Sequence, residues 1–225
     1  RDNGMGLGVA MSVTGASITT TVAVDTGFGS IELGNGGASA VDDADGSPAE
    51  ISVDHGPRIA GLTFADGHIT DDAIKYVAPS IGGLGVSVTQ AFDNGIYGGT
   101  TSVALSYEVM GLALKGGVSS IDVKRENTTL YGTDTDPSFF TAAYSIAGLN
   151  LGYAVYDNDV STGDKETQMG VNTSLAGMTV GATFAELDTN SVDTDATLFV
   201  VKKSMGPMGF SVEYLELDPS NATAN

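Results

Sequence analysis

The sequence is poor in several residue types that many functions require. Its 225 residues include no cysteine and no tryptophan, and only 9 lysines and arginines stand against 28 aspartates and glutamates. Without cysteine, a disulfide framework and a thiolate metal site are excluded, and His55 and His68 are the only imidazoles. The net charge of −19 argues against a nucleic acid partner, because phosphate binding needs a basic surface. No apolar run reaches the roughly 18 residues of a transmembrane helix.

Motifs of catalysis are also missing. The glycine-rich stretch at 4–8 lacks the third glycine of a dinucleotide-binding fingerprint, and no nucleophile elbow, zinc-protease motif or phosphate-binding loop occurs. His55 and His68 have acidic neighbours, but no nucleophile can be nominated beside them. We therefore expect that the protein is not an enzyme.

Alternation of apolar with small or polar residues is present along most of the chain, whereas helical periodicity is rare. In the stretch 102–109, for example, Val103, Leu105, Tyr107 and Val109 alternate with small or charged residues. This period of two predicts thirteen strands, at 6–13, 17–25, 28–34, 73–79, 84–92, 101–109, 112–121, 139–146, 149–157, 166–175, 178–187, 196–205 and 208–217. Their lengths suit the roughly 9 to 11 residues that a tilted strand needs to cross a bilayer.

The connections between the predicted strands are of two alternating kinds. A short connector, in which apolar residues flank a spacer and a glycine or proline, occurs five times, at 81–84, 109–112, 146–149, 175–178 and 205–208. Glycine or proline at this place is typical of a tight hairpin turn. The opposite ends carry longer acidic loops, at 93–99, 122–137, 157–165 and 186–195. Most of the negative charge therefore lies in loops.

The two faces of the predicted strands differ in a way that favours a membrane. A soluble β-sandwich needs bulky inward residues and a charged outward face, but here the polar face is mostly glycine, alanine, serine, threonine and asparagine. This composition fits a transmembrane antiparallel β-barrel whose apolar face meets lipid. Nine aromatic residues lie within or at the ends of strands, as an interfacial girdle requires: Phe92, Tyr107, Phe140, Tyr144, Tyr153, Phe184, Phe199, Phe210 and Tyr214. The alternative is a secreted or cell-surface β-sandwich or adhesive structural domain with no pore.

Two motifs resemble a known family. The stretch 27–34, GFGSIELG, is similar to a Phe-Gly pair followed by a short strand that ends in glycine before an inward-folded loop. The stretch 75–84, KYVAPSIGGL, is similar to the hairpin directly after that loop, although Lys75 stands where arginine is usual. With the alternating hairpins that follow, the sequence resembles the general diffusion porins of Gram-negative outer membranes, of the alphaproteobacterial type, over nearly its whole length.

The resemblance implies a sixteen-stranded, trimeric, multi-pass barrel in the outer membrane. Residues 1–225 would form a single, partial barrel domain of about thirteen strands, with two strands missing before Arg1 and one after Asn225. The implied function is passive diffusion of small hydrophilic solutes and ions. The expected partners are two further copies of the chain, outer-membrane lipid and lipopolysaccharide.

The stretch 35–72 is too long for an ordinary connector. The resemblance implies that it folds into the barrel and narrows the pore, with an acidic constriction at Asp42, Asp43, Asp45, Glu50 and Asp54. Such carboxylates would favour cations modestly. The alternative is a solvated surface loop whose acids only confer solubility.

Basic residues on the pore wall are expected opposite this loop. Alternation places Lys75 and Lys115 on the polar face, although Pro79 could shift the register near Lys75. Lys202 and Lys203 are adjacent, so they point to opposite faces, and Lys202 is predicted inward and Lys203 toward lipid. The alternative for all of them is a charge at the rim of the membrane.

Acidic loops also raise the question of calcium. Asp157, Asp159 and Asp164 could offer clustered oxygen ligands, and acidic residues near 134–136 and 188–195 form similar groups. None of these stretches matches the twelve-residue loop of an EF-hand. A solvated loop is the simpler interpretation, so we expect no cofactor other than possible calcium.

Overall fold

The computed structural model describes residues 6–14, 17–34, 40–41, 44, 73–92, 97–123, 134–159, 164–189, 192–205 and 208–221. Their secondary structure consists of strands and turns. No helix within these ranges has the length and apolarity needed to cross a membrane.

The described residues form thirteen strands in one sheet, in which the strand order is the order of the chain. Register is resolved for nine neighbouring pairs, and all nine are antiparallel. The strands are β1 Gly6–Thr14, β2 Ser17–Thr26, β3 Gly29–Gly34, β4 Ala73–Val77, β5 Leu84–Ala91, β6 Tyr97–Val109, β7 Leu112–Val123, β8 Ser138–Ile146, β9 Leu149–Asp157, β10 Lys165–Leu175, β11 Met178–Asp188, β12 Val192–Met205 and β13 Met208–Asn221.

All thirteen predicted strands are confirmed, but one predicted loop is wrong. The acidic stretch 186–195 was expected to be a long connection, whereas β11 continues to Asp188 and β12 begins at Val192. Polar side chains at the ends of these strands hide the alternation that marks their centres. The hydroxyl of Thr189 closes the tight connection by donating to the carbonyl of Val192 at 2.6 Å.

Among the described residues, the short connectors at 81–84, 109–112, 146–149 and 175–178 contain consecutive residues with positive φ, as their composition predicts. In the β6–β7, β8–β9 and β10–β11 turns, Met110, Ala147 and Ala176 have φ of 47°, 51° and 51°, and the glycine that follows each has φ of 83°, 81° and 74°. Two consecutive residues with positive φ define the type I′ turn, whose twist matches that of the flanking strands. In the β10–β11 hairpin the strands pair directly from the turn, with Leu175 opposite Met178.

The two motifs of the family resemblance contact each other in the structure. Tyr76 of β4 donates a hydrogen bond from its hydroxyl to the carbonyl of Phe28, in the turn between β2 and β3. Gly29 follows that turn with φ of 125°, and a Cβ there would collide with the carbonyl oxygen of Val77 and touch the Tyr76 ring. The glycine is needed because β4 approaches the turn so closely.

The chain divides into two compact units. The first comprises Arg1–Asp45, Ala65–Tyr107 and Lys115–Ser138, and the second comprises Gly46–Phe64, Glu108–Leu114 and Phe139–Asn225. Each unit contains a stretch of sheet with one covered face and one exposed face.

In the first unit the covered face consists of polar side chains and of alanines such as Ala91 and Ala104. Pairing across β3 to β6 aligns Glu32, Lys75, Thr89 and Ser102 in one row. Thr89 and Ser102 are buried, and Ser119 of β7 donates from its hydroxyl to that of Ser102 at 3.0 Å. The opposite face is apolar and exposed, with Ile31, Leu33, Ile74, Tyr76, Leu105 and Tyr107.

In the second unit the covered face mixes polar and bulky apolar side chains. Its fully buried members include Tyr156, Glu166, Gln168, Thr183, Leu198 and Val200. The exposed face carries large apolar residues on every strand from β8 to β13. All nine aromatic residues named for the girdle, in both units, are at least 38% exposed, which contradicts a packed core as their environment.

Candidate functional site

The predicted acidic constriction lies outside the described residues. This holds for Asp42, Asp43, Asp45, Glu50 and Asp54 alike, so their role stays a prediction. Residues 40–41 and 44 of the same stretch are described.

Ala40 contacts the covered face of the first unit. Ala40 and Val41 are fully buried, and the backbone N–H of Ala40 donates to the hydroxyl of Thr89 on β5 at 3.0 Å. The N–H of Ala44 donates to the carbonyl of Val41 at 2.9 Å, which makes a local turn. Ala40, within the stretch 35–72, therefore lies against the same face that carries Lys75.

Lys75 lies on the covered face, opposite in direction to Ile74 and Tyr76, and the register around it is regular. Its Nζ lies 3.7 Å from Oε2 of Glu32, its cross-strand partner on β3. The Lys75 side chain is 10% exposed and that of Glu32 is 36% exposed. Pro79 does not disturb this register, because Ala78 still donates from its N–H to the carbonyl of Val86 at 2.9 Å.

Lys115 and Lys202 both share the parity of buried residues on their strands. Lys115 is half-buried and lies on the side of β7 that carries Ser119. Lys202 is half-buried and lies on the side of β12 that carries Leu198 and Val200. Both side chains start from the covered face.

Lys203 starts from the opposite side of β12. It is exposed, and its neighbours on that face of the strand are Phe199 and Val201, which are also exposed. Its cross-strand partner is Phe210. The two adjacent lysines therefore differ in the face that they occupy.

The structure does not gather the acidic residues proposed for calcium into a metal cluster. Within the described part of the chain, which includes Asp157, Asp159 and Asp164, no group of three or more acidic or histidine side chains is placed to hold a metal ion. Asp157 instead accepts a hydrogen bond from the N–H of Asp159 at 2.9 Å. The N–H of Asn158 donates to the carbonyl of Asp164 at 3.1 Å, closing this loop through its backbone.

Several polar residues of the covered faces were missed by sequence reasoning. Glu32, the partner of Lys75, is one of them, and Glu166 with Gln168 is a second case. Gln168 donates from Nε2 to Oε1 of Glu166 at 2.6 Å, and both side chains are fully buried on β10. The available signal was their position within predicted strands at the parity of small residues.

A hydrogen-bonded row of small polar groups, in which Ser145 and Asn150 are exposed, lies on the same side of its strands as the buried residues of the second unit. Ser145 of β8 donates from its hydroxyl to Oδ1 of Asn150 at 2.7 Å, and Nδ2 of Asn150 donates to Oδ1 of Asn172 at 2.9 Å. The row joins β8, β9 and β10 through side chains as well as backbone. All three side chains present donors and acceptors suited to water or to hydroxylated solutes.

Structural comparison shows which fold these strands build. A mutant of Rh. blastica porin matches with a TM-score of 0.72 at 16% identity, covering 95% of this chain and 80% of that chain. A triple mutant of Rhodopseudomonas blastica porin matches with a TM-score of 0.73 at 14% identity, with the same coverage of both chains. Salmonella typhi OmpF, in a complex with daunomycin, matches with a TM-score of 0.57 at 10% identity, covering 92% of this chain and 88% of that chain.

These likenesses confirm the predicted fold class, an antiparallel porin-type β-barrel fold of which thirteen strands are described. No curated protein matches the sequence. The model of the family described as Gram-negative porin matches residues 2–225. The chain therefore belongs to the Gram-negative porins.

Proposed function

We propose that the protein is an outer-membrane channel through which small hydrophilic solutes and ions diffuse passively, with a modest preference for cations. The observation that carries this proposal is that one face of the sheet exposes large apolar side chains while the other face buries polar ones. Large apolar side chains such as Leu105, Phe184 and Tyr214 are exposed, while Thr89 and Gln168 are buried on the other side. An exposed apolar face on successive strands is suited to lipid, and a polar opposite face is suited to a water-filled interior.

Membership of the porin family replaces the β-sandwich alternative and points to a channel rather than to an enzyme. The family also supports the outer membrane as the location, where the apolar face would contact lipid and lipopolysaccharide. We further propose a homotrimer, in keeping with the porin fold.

The inward position of the stretch 35–72 is part of the proposal. It is supported by the contact of Ala40 with Thr89, because Thr89 lies on the same face as Lys75 and Ser102. If the stretch continues inside the barrel, Asp42, Asp43, Asp45, Glu50 and Asp54 would concentrate negative charge in the pore. Carboxylates at a constriction attract cations and repel anions.

The lysines of the wall would oppose these carboxylates unequally. The charge of Lys75 is balanced by Glu32 at 3.7 Å, so its field in the pore is weakened. Lys115 and Lys202 would then supply more of the positive side of a transverse field. Calcium at Asp157, Asp159 and Asp164 stays a prediction, and it would act at the loops rather than in the pore.

Conductance in planar lipid bilayers tests the proposal. The full-length protein, inserted between potassium chloride solutions of unequal concentration, should give stable single-channel steps. At zero current the dilute side should become positive, because potassium crosses more readily than chloride. A dilute side that becomes negative would contradict the cation preference, and the lack of any steps from folded protein would contradict the channel.

A further inference from the structure

Lys203 places a positive charge on a surface that is otherwise apolar at that end of the strand. Along the exposed face of β12 it follows Phe199 and Val201, which are 49% and 39% exposed. Its cross-strand partners are Met178 on β11 and Phe210 on β13. Lys203 is itself exposed, so its ammonium group extends from a surface that the proposed function places against lipid.

The described part of the chain supplies Lys203 with no counter-ion. No ion pair involves it among these residues. On the exposed faces of β11, β12 and β13, the first carboxylates are Glu186, Asp195 and Glu216. They lie six to eight residues along the strands from the row of Lys203, which is roughly 20–27 Å at the usual rise per residue. A lysine side chain is far shorter than this distance.

The position of Lys203 along β12 fits the border of a bilayer. The strand ends at Met205, two residues farther on, where the short turn begins. An unpaired ammonium group is expensive in the hydrocarbon of a membrane and costs little at its border. Lysines at such a border lay their methylene groups along apolar surface and extend the charge to the headgroups. Lys203 therefore marks the border on the side of the short turns.

The carboxylates mark the opposite border. Between Lys203 and Asp195, the exposed face of β12 carries Thr197, Phe199 and Val201, none of which is charged. Eight residues of a strand that is tilted by about 40° span about 20 Å of membrane thickness. The apolar band of outer-membrane barrels is about 25 Å tall. On β11 to β13, the exposed face thus has a lysine at one border and carboxylates at the other.

We propose that Lys203 binds the phosphate of an anionic phospholipid in the leaflet on the side of the short turns. The proposal rests on the proposed function, because it needs the exposed face to meet lipid. An ammonium group donates charge-assisted hydrogen bonds to phosphate oxygens. The acyl chains would lie along Phe210 and Val212, which are 54% and 72% exposed.

Charge selects both the headgroup and the leaflet. A zwitterionic phospholipid also carries phosphate, but its own positive group opposes Lys203, so a net negative headgroup binds more strongly. At the other border, Glu186, Asp195 and Glu216 repel the same anionic headgroup. The lipid is therefore recognised only at the end of the strands that carries Lys203.

Quenching of an introduced tryptophan tests the site, since the chain contains no tryptophan of its own. Val212→Trp places the reporter on the exposed face, two residues from Phe210. The full-length variant is reconstituted into vesicles of phosphatidylcholine and phosphatidylglycerol, with bromine on the acyl chains of one lipid or of the other. Bromine quenches the fluorescence on contact, so the two series compare the lipids at the reporter. We expect phosphatidylglycerol to be enriched there about three- to fivefold over its bulk share.

Lys203→Gln in this background should remove the enrichment, whereas Lys203→Arg should keep it. Lys202→Gln is the matched control, because it removes the same charge from the adjacent residue on the covered face, and it should leave the enrichment unchanged. Phe184→Trp moves the reporter beside Glu186, at the other border, and should show no enrichment. An enrichment that survives Lys203→Gln, or that Lys202→Gln lowers equally, would overturn the site.

Salt provides a test that needs no substitution at Lys203. Raising potassium chloride to about 1 M shortens the range of electrostatic attraction to about 3 Å, so the enrichment should fall toward one. Enrichment that is independent of salt would contradict binding through the charge. If Val212→Trp does not fold, Phe210→Trp is the second reporter, because it replaces one exposed aromatic residue by another.

The same quenching separates this inference from the channel. If both brominated lipids quench the reporter equally, the lipid site is refuted while the lipid-facing wall stands. If neither lipid quenches it in folded, heat-modifiable protein, the exposed face does not meet lipid, and the outer-membrane channel is refuted together with the site.

Discussion

The two units differ in the side chains that they bury on the covered face of the sheet. In the first unit the row formed by Glu32, Lys75, Thr89 and Ser102 holds together through an ion pair and hydroxyl groups. In the second unit the covered face contains an apolar cluster of Ala185, Ala196, Leu198 and Val200. A polar row can face water or a peptide backbone, as Thr89 does with Ala40. An apolar cluster is stable only when other apolar groups cover it.

The largest expected effect on stability comes from truncating a side chain of this apolar cluster. Leu198→Ala should destabilise the folded protein by about 2–4 kcal/mol, because it removes a fully buried side chain and leaves a cavity. Ser102→Ala, on the covered face of the first unit, should cost only about 1 kcal/mol, since it removes one hydroxyl and its hydrogen bond to Ser119. Unfolding in guanidinium, followed by circular dichroism and by heat-modifiable migration, measures both.

Equal losses of stability from Leu198→Ala and Ser102→Ala would contradict the distinction between the two covered faces. The lack of tryptophan makes circular dichroism the suitable probe.

A second comparison concerns the turns. Gly29→Ala should destabilise the first unit by about 2–3 kcal/mol, because the new Cβ meets the carbonyl of Val77 as well as the strain of a positive φ. Gly148→Ala, in the β8–β9 turn of the second unit, has a φ of 81° but no atom within 4 Å of its Cβ. It should cost about 1 kcal/mol, the backbone strain alone. The same unfolding experiment compares them, and an equal cost would mean that the contact with β4 is not rigid.

A smaller effect is expected at the hydroxyl that anchors the β2–β3 turn. Tyr76→Phe removes the hydrogen bond to the carbonyl of Phe28 and should cost about 1 kcal/mol. Tyr153→Phe is the control, because among the described residues the Tyr153 hydroxyl has no hydrogen-bond partner. Its loss should change stability by less than about 0.5 kcal/mol. Thermal unfolding in detergent gives the difference, and a larger loss for Tyr153→Phe would contradict the anchoring role.

The smallest effect should be on ion selectivity. Lys202→Gln removes a positive charge from the covered face and should raise the ratio of potassium to chloride permeability by less than about twofold. Lys203→Gln changes the adjacent residue on the exposed face and should leave the ratio unchanged. Zero-current potentials in bilayers measure both variants. A shift for Lys203→Gln that matches that of Lys202→Gln would show that the two lysines do not occupy different environments.

The sequence predicted the strands well because the alternation of side chains is local. Val103, Leu105 and Tyr107 reveal a two-faced strand without knowledge of its partners. The left-handed turns are equally local, because a glycine at the second turn position is sufficient to indicate them. The misplaced loop at 186–195 shows the limit, since polar strand ends such as Glu186 and Asp195 lack the apolar face on which the prediction depends.

The candidate site was less accessible because it depends on pairing between distant strands. Lys75 was correctly placed on the polar face, but its ion pair with Glu32 requires the register of β3 with β4. The apolar cluster of the second unit is indicated by a sequence feature that alternation alone does not explain. The run Leu198-Phe199-Val200-Val201 is apolar at four consecutive positions, which indicates a strand with apolar groups on both faces.

Uptake of neutral sugars by reconstituted vesicles tests the channel most directly. Liposomes that contain the full-length protein are diluted into isotonic solutions of arabinose, glucose, sucrose or raffinose, and swelling is followed by light scattering. We expect swelling with the small sugars at rates that fall steeply as the solute grows, because the wall encloses water and the pore has a limiting width. Vesicles that hold folded, heat-modifiable protein and swell in none of these sugars would contradict a diffusion channel.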